Sequence, residues 1–150
     1  MISTNQALLS DIDEISRLGN QVDEFQVSDE VVNFWPKNIL QNIVKSKTDF
    51  LLVAKFDGRI IGFIIVNFNP NFSKAIIENL YVSPQYRGLG VSDLLRDSLI
   101  VQLKSVGCKY LCTLIEANSK PAINSYLRYG FNKGIDCVWL DLIIDKSFAK

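Results

Sequence analysis

Apolar residues recur at helical spacing near the start of the chain, where Ile12, Ile15 and Leu18 follow Ser10-Asp11-Ile12-Asp13. An acid three residues after a serine resembles a capping box, so a first helix is predicted to about Asn20. Ser28, with Asp29 and Glu30 behind it, predicts the start of a second helix with acids favourable to its dipole. Pro36 should break or kink that helix near Phe34-Trp35, and Ile39, Ile43 and Val44 continue it. The pattern then shortens to strands. Residues 49–56 read as a strand, Asp57-Gly58 as a hairpin turn, residues 60–68 as a second strand, and Asn69-Pro70-Asn71 as another turn before a third strand at 75–82.

After Ser83-Pro84 the period returns to helical, with Val91, Leu94, Leu95, Leu99, Leu103 and Val106 on one face and Gly107 at the stop position. Residues 110–115 predict a strand, 121–129 a helix and 136–144 a final strand. Three strands in succession joined by hairpins imply an antiparallel meander rather than a doubly wound sheet. The expectation is one α+β domain over residues 1–150, without repeats or linkers.

Composition narrows the chemistry. The chain has 150 residues, 48% of them hydrophobic, with 16 basic and 16 acidic residues and no histidine. A zero net charge speaks against a general nucleic-acid binder. Without histidine there is no Ser-His-Asp or Cys-His nucleophile system and no His-ligated metal, so any proton transfer falls to Glu, Asp, Tyr, Lys, Cys or water. Cys108, Cys112 and Cys137 lack CxxC spacing and read as small reduced core residues. Met1-Ile2-Ser3-Thr4-Asn5-Gln6 lacks a basic region followed by a long apolar run, and the run at 60–66 is too short for a bilayer. A cytoplasmic protein with no membrane partner is expected. The neutral total hides an asymmetry, since residues 1–31 carry seven acids and only Arg17 as a base, a net of −6 balanced by +6 in the remainder.

The most informative segment is Val82-Ser83-Pro84-Gln85-Tyr86-Arg87-Gly88-Leu89-Gly90-Val91-Ser92, a strand running into a two-glycine loop that opens a helix. Free N–H groups at a helix N-terminus form an anion site, glycines let the backbone approach closely, and Arg87 adds a charge with fork geometry. No GxxxxGK phosphate loop is present, and Asp93 stands where a GxGxxG fingerprint needs its third glycine, where an acid would repel pyrophosphate. Glycines in such a turn also occur without a ligand.

This segment resembles the GCN5-related N-acetyltransferase (GNAT) superfamily, whose pyrophosphate loop reads Q/R-x-x-G-x-G/A after a strand ending in Val-x-Pro. Two further blocks agree: Asn118 through Phe131 resembles N-x(3)-A-x(3)-Y-x(3)-G-F, and Phe56-Asp57-Gly58-Arg59-Ile60-Ile61-Gly62-Phe63 resembles the central hairpin. The resemblance implies a GNAT fold, a mixed, mostly antiparallel sheet with splayed middle strands and about four helices. It also implies acetyl-CoA as cosubstrate and transfer of the acetyl group to a primary amine by direct attack on the thioester.

Carried over by resemblance, the backbone of Leu80, Tyr81 and Val82 would pair with the pantetheine arm and supply the oxyanion donor, and the N–H groups of Arg87, Gly88, Leu89, Gly90, Val91 and Ser92 would hold the pyrophosphate. Ser92 departs from the usual Gly or Ala. Asn118 would contact the cofactor arm. Tyr126 would protonate the leaving thiolate, as a phenol with an ordinary pKa of about 10 can do; the competing reading makes it a core aromatic, a role Tyr129 fits most plainly. The base is Glu78, placed by alternation on the face of Leu80 and Val82, or Glu116, or a chain of waters. No metal is expected.

The family resemblance puts the acidic first segment on the acceptor side, which suits a cationic small-molecule or peptide amine, and it allows a homodimer. Phe34 and Trp35 either line that pocket or fill the core. The rival readings are a non-catalytic acyl-CoA sensor or interaction module and a nucleotide phosphate binder.

Overall fold

The computed structural model describes residues 1–26, 34–142 and 144, and its contacts divide the chain into two compact units, Met1–Leu114 and Ile115–Lys150. The first unit holds a five-stranded sheet in the order β1-β2-β3-β4-β5: β1 (Ile2–Gln6), β2 (Asp49–Phe56), β3 (Arg59–Asn69), β4 (Lys74–Val82) and β5 (Tyr110–Thr113). The first four strands are antiparallel in sequence and β5 joins β4 in parallel. The meander expected from the hairpin signals is therefore present as β2-β3-β4. At its first turn Asp57 and Gly58 both take positive φ, 48° and 76°, the backbone of a two-residue hairpin turn.

Helices cover both faces of this sheet. α1 (Ile12–Gly19) and α2 (Lys37–Lys45) lie on one face, where Ile12, Ile15, Leu18, Leu40 and Ile43 join Leu51, Val53, Phe63, Ile65 and Tyr81 in a buried cluster. α3 (Val91–Ser105) packs across the first four strands on the other face, burying Val91, Leu95, Leu99 and Leu103. Double coverage explains why residues 60–66 are apolar without alternation. Gly62 on β3 permits a close seat for α3: a Cβ there would come within 2.8 Å of the Tyr81 carbonyl oxygen and 3.3 Å of both Val91 and Leu95.

The N-terminal strand β1 was not expected. Ser3, Thr4, Asn5 and Gln6 carry no apolar signal, and the strand exists because β2 offers it an edge, from Ile2 opposite Phe56 to Gln6 opposite Leu52. The anticipated start of the second helix at Ser28, with Asp29 and Glu30, lies outside the described residues. Pro36 does not kink a continuous helix; it occupies the position before Lys37, and α2 begins there, as a residue without an N–H can precede a helix at no cost. Ahead of the first helix, the Leu8 N–H donates to Asp11 Oδ2 at 2.9 Å and closes the 3-10 turn Leu9–Asp11, while α1 itself has no side-chain cap, neither from Ser10 nor from Asp11.

The second unit contains α4 (Lys120–Tyr129), closed by Gly130 at φ 118°. The strand expected at 136–144 does not form among the described residues. Ile135, Val138, Trp139, Leu140, Leu142 and Ile144 are exposed instead, because alternation supplies a strand's side chains but only a ladder partner makes the strand. The cysteines also differ from the core reading. All three are free, Cys108 and Cys112 half-buried and Cys137 exposed.

Candidate active site

The candidate site in the first unit lies where β4, its following loop and α3 meet. β4 and β5 are paired only from Lys74 opposite Tyr110 to Ile77 opposite Thr113. Beyond that, Glu78 to Val82 keep β3 on one side and have no strand partner on the other among the described residues, so β4 and β5, the last two strands of the sheet, are paired over only part of their length. Backbone groups on an open edge of this kind can pair with an extended ligand.

The loop continues from that edge. The Ser83 N–H donates to Ile61 O at 2.8 Å, and Pro84–Tyr86 form a short 3-10 turn. Arg87 Nε donates to Val82 O at 3.1 Å, which ties the guanidinium to the strand end. Gly88 and Gly90 take φ of 77° and 79°, a region in which a Cβ is strained. The turn they allow points the N–H groups of Gly88, Leu89, Gly90, Val91 and Ser92 at no acceptor among the described residues; the first helical bonds come from Asp93 and Leu94 to Gly90 O. No side chain caps α3. A 15-residue helix thus begins with its orphan donors open, the arrangement that attracts phosphate.

Asp93 does not face this cradle as an unpaired charge. Its Oδ1 is 2.6 Å from Nη1 of the buried Arg96, so the repulsion expected at that position is offset.

Glu78 corrects the alternation argument. Ile65 pairs with Asn79 and the next residue, Val66, with Ile77, leaving Glu78 as an extra residue in a β-bulge. The bulge shifts the phase. Leu80 and Val82 share the α3 face with Ile64 and Gly62, while the Glu78 carboxylate accepts a hydrogen bond from Asn67 Nδ2 at 3.0 Å, and Asn67 belongs to the opposite face. Asn79, which the sequence reading did not single out, faces that side as well and accepts from Trp35 Nε1 at 2.6 Å. The signal was available: two adjacent polar residues, Glu78 and Asn79, interrupt an otherwise apolar alternating strand. Phe34 takes the core role, stacked on Phe25 and tilted against Phe63, with ring centroids 5.9 Å from each. Trp35 is the half-buried one, held beside the bulge.

Glu116, Asn118 and Tyr126 belong to the second unit. The Ser119 N–H bonds to Glu116 O and the Lys120 N–H to Asn118 O, both at 2.9 Å, so the first two residues form the turn that leads into α4. Tyr126 is buried and meets the Phe131 ring edge-on at 5.0 Å. Tyr129, expected to be the core aromatic, is only half-buried.

Three of the seven acids of the first segment are matched by bases within the fold. Asp11 pairs with Lys55 at 2.6 Å, Asp13 with Lys37 at 2.7 Å and Glu14 with Arg17 at 2.6 Å. Two of those bases come from the basic remainder, so the −6 and +6 halves do not separate cleanly into two surfaces; Asp29 and Glu30 lie outside the described residues.

Comparison with known proteins agrees with this geometry. An uncharacterised N-acetyltransferase of Methanocaldococcus jannaschii is 27% identical over 115 residues, covering 73% of this chain and 51% of that protein. An acetyltransferase of Pectobacterium atrosepticum is 24% identical over 115 residues, covering 75% of this chain and 79% of that protein. The chain therefore spans about half the length of the first relative. Among solved structures, AAC(6')-Iy in complex with the bisubstrate analogue CoA-S-monomethyl-acetylneamine superposes with a TM-score of 0.78 at 14% identity, over 96% of this chain and 99% of that one. The ribosomal-protein-S18-alanine N-acetyltransferase from Escherichia coli gives 0.69 at 19% identity, over 90% and 80%. These likenesses establish the fold. Residues 14–131 match the model of the acetyltransferase (GNAT) family, and the chain belongs to that family.

Proposed function

We propose that this protein is an acetyl-CoA-dependent N-acetyltransferase acting on a primary amine. The observation that carries the reading is the continuity of the β4 edge at Glu78 to Val82 with five N–H groups, from Gly88 to Ser92, that meet no acceptor among the described residues. An extended amide chain ending in a pyrophosphate matches both halves at once. Solved family members hold CoA or a bisubstrate analogue.

In this reading the backbone of Leu80, Tyr81 and Val82 holds the pantetheine and offers an N–H to the oxyanion. The N–H groups of Gly88 through Ser92 hold the pyrophosphate, Arg87 contributes only its guanidinium because its own N–H is bonded to Pro84 O at 3.2 Å, and Asn118 contacts the cofactor arm. The amine, once deprotonated, attacks the acetyl carbon; a C–N bond forms as the C–S bond breaks, and Tyr126 gives its proton to the departing sulfur. Glu78, Glu116 or water takes the proton from the ammonium. The reading treats residues 1–150 as one functional domain. Three free thiols suit a reducing compartment, in keeping with a cytoplasmic protein.

The burial of Tyr126 against Phe131 favours a second reading, a non-catalytic acyl-CoA sensor in which that ring is structural. Gly90→Val tests the shared cofactor site: a β-branched residue at φ 79° strains the cradle by about 1–3 kcal/mol, so acetyl-CoA affinity should fall by about tenfold or more. Unchanged affinity would show that the assigned site is wrong. Thiol release from acetyl-CoA across a panel of amines then separates the readings, since binding without turnover on any amine favours the sensor.

A further inference from the structure

An open hollow of about 590 Å³ lies on the hairpin half of β3 and β4, and its lining includes Asn67, Asn69, Asn71, Phe72, Lys74 and Glu78. We infer that it is the acceptor subsite, and that it takes a primary amine of single positive charge carried on a hydroxylated body. The inference rests on the transferase reading above.

Position is the first argument. Glu78 is the bulged residue of β4, so it ends the strand half paired with β5 and begins the open half. A thioester laid along Leu80 to Val82, with its phosphates at residues 87–92, has its acyl end toward Glu78. The hollow begins at that residue and runs the other way, toward the turn at 69–74. The bulge therefore divides one strand into a cofactor half and an acceptor half, with the Glu78 carboxylate at the junction.

Chemistry is the second argument. Asn67 Nδ2 holds one Glu78 oxygen at 3.0 Å, which fixes the carboxylate and leaves its other oxygen for an ammonium. Asn67, Asn69 and Asn71 each both donate and accept, the capacity that hydroxyl groups need. Phe72, 76% exposed, offers an apolar face to ring carbons. Lys74 sets the charge limit. Its Nζ lies over the Tyr110 ring at 5.9 Å, placing a cation in the lining to match the single carboxylate. A second ammonium on the ligand would meet that cation with no acid to answer it, an unfavourable contact that selects against polyamines.

The test uses the full chain with acetyl-CoA and three amines: glucosamine, spermidine and phenethylamine. Glucosamine should exceed each of the others in kcat/KM by about tenfold or more. Asn69→Trp, at an exposed turn position, should raise the KM for glucosamine by about tenfold while acetyl-CoA affinity stays within about twofold. Lys74→Glu should narrow the gap to spermidine by about tenfold. In the CoA-bound protein, the side-chain amide NMR signals of Asn67, Asn69 and Asn71 should shift with glucosamine and not with spermidine. Spermidine, phenethylamine or a peptide amino terminus as the preferred amine would overturn the assignment, as would Asn69→Trp with an unchanged KM or amide signals that do not move. Those outcomes leave acetyl-CoA binding intact and remove only the hollow. Absence of acetyl-CoA binding to the unaltered protein would overturn the transferase reading and the hollow together.

Discussion

Single side chains decide the proton and charge bookkeeping of this protein. Tyr126 is the residue with two readings, a proton donor by motif position and a packed aromatic by its contact with Phe131. Tyr126→Phe separates them, because it removes the hydroxyl and keeps the ring. A donor role predicts a fall in kcat of about 100-fold with acetyl-CoA affinity held, measured as thiol release; full turnover would leave Tyr126 a structural residue only. Asp11 carries two bonds, one to Lys55 Nζ at 2.6 Å and one from the Leu8 N–H. Its side chain is nearly buried, at 9% exposure, so Asp11→Ala should cost about 1–3 kcal/mol in a denaturant titration by leaving a cation and an N–H without their acceptor. Glu14 gives a weaker, pH-dependent effect. The hydrogen bond from Arg17 holds its carboxyl below the usual 4.5. A depressed acid stabilises the fold above its unfolded pKa, and the contribution disappears as pH falls through the folded value. The pair is exposed, so the Tm difference between the protein and Glu14→Gln should be small at pH 7 and should close in acid below the ordinary Glu range.

At the scale of elements, the bulge in β4 is the decisive device. One extra residue reverses which face each later side chain meets, so Glu78 sits with Asn67 while Leu80 and Val82 turn toward α3. Sequence alternation alone puts all three together, since period-two reasoning has no term for an inserted residue. The seating of α3 depends on Gly62 in the same way. Gly62→Val would push side-chain atoms against the Tyr81 carbonyl and against Val91 and Leu95, shifting the helix whose N-terminus forms the phosphate cradle. The expected result is a loss of about 1–3 kcal/mol of stability together with weaker acetyl-CoA binding, read by denaturation and by a binding titration. Elements with strong periodicity are legible in the amino-acid pattern alone. β2 spans Asp49–Phe56 and α3 begins at Val91, as the spacing predicts. β1 and the strand expected at 136–144 mark the opposite failures, a polar segment recruited by an available edge and an apolar one that no ladder receives among the described residues.

Across the whole molecule, ligand binding should appear as stability. Acetyl-CoA at about 100 times its Kd adds about 2.7 kcal/mol to the native state, which for a chain of this size raises Tm by about 5–10 °C. ATP lacks the pantetheine arm that matches the β4 edge, so it should protect less. Equal protection by ATP would favour a nucleotide phosphate binder instead. The charge asymmetry also changes meaning at this scale. Lys37 and Lys55, far along the chain, neutralise Asp13 and Asp11, so the acidic N-terminal stretch is partly a set of internal ion pairs rather than a free field for attracting amines.

The amino-acid sequence by itself determined the order of the meander and helices, the glycine loop before α3 and the absence of histidine chemistry. Each depends on residues near one another in the chain, through periodicity, turn geometry or side-chain type. Tertiary structure alone decided the pairing of polar β1 with β2, the partial pairing of β4 with β5, the phase of Glu78 and the partners of the N-terminal acids. Those outcomes depend on which strand edge, carboxylate or cation a residue meets across the fold, and no local pattern carries that information.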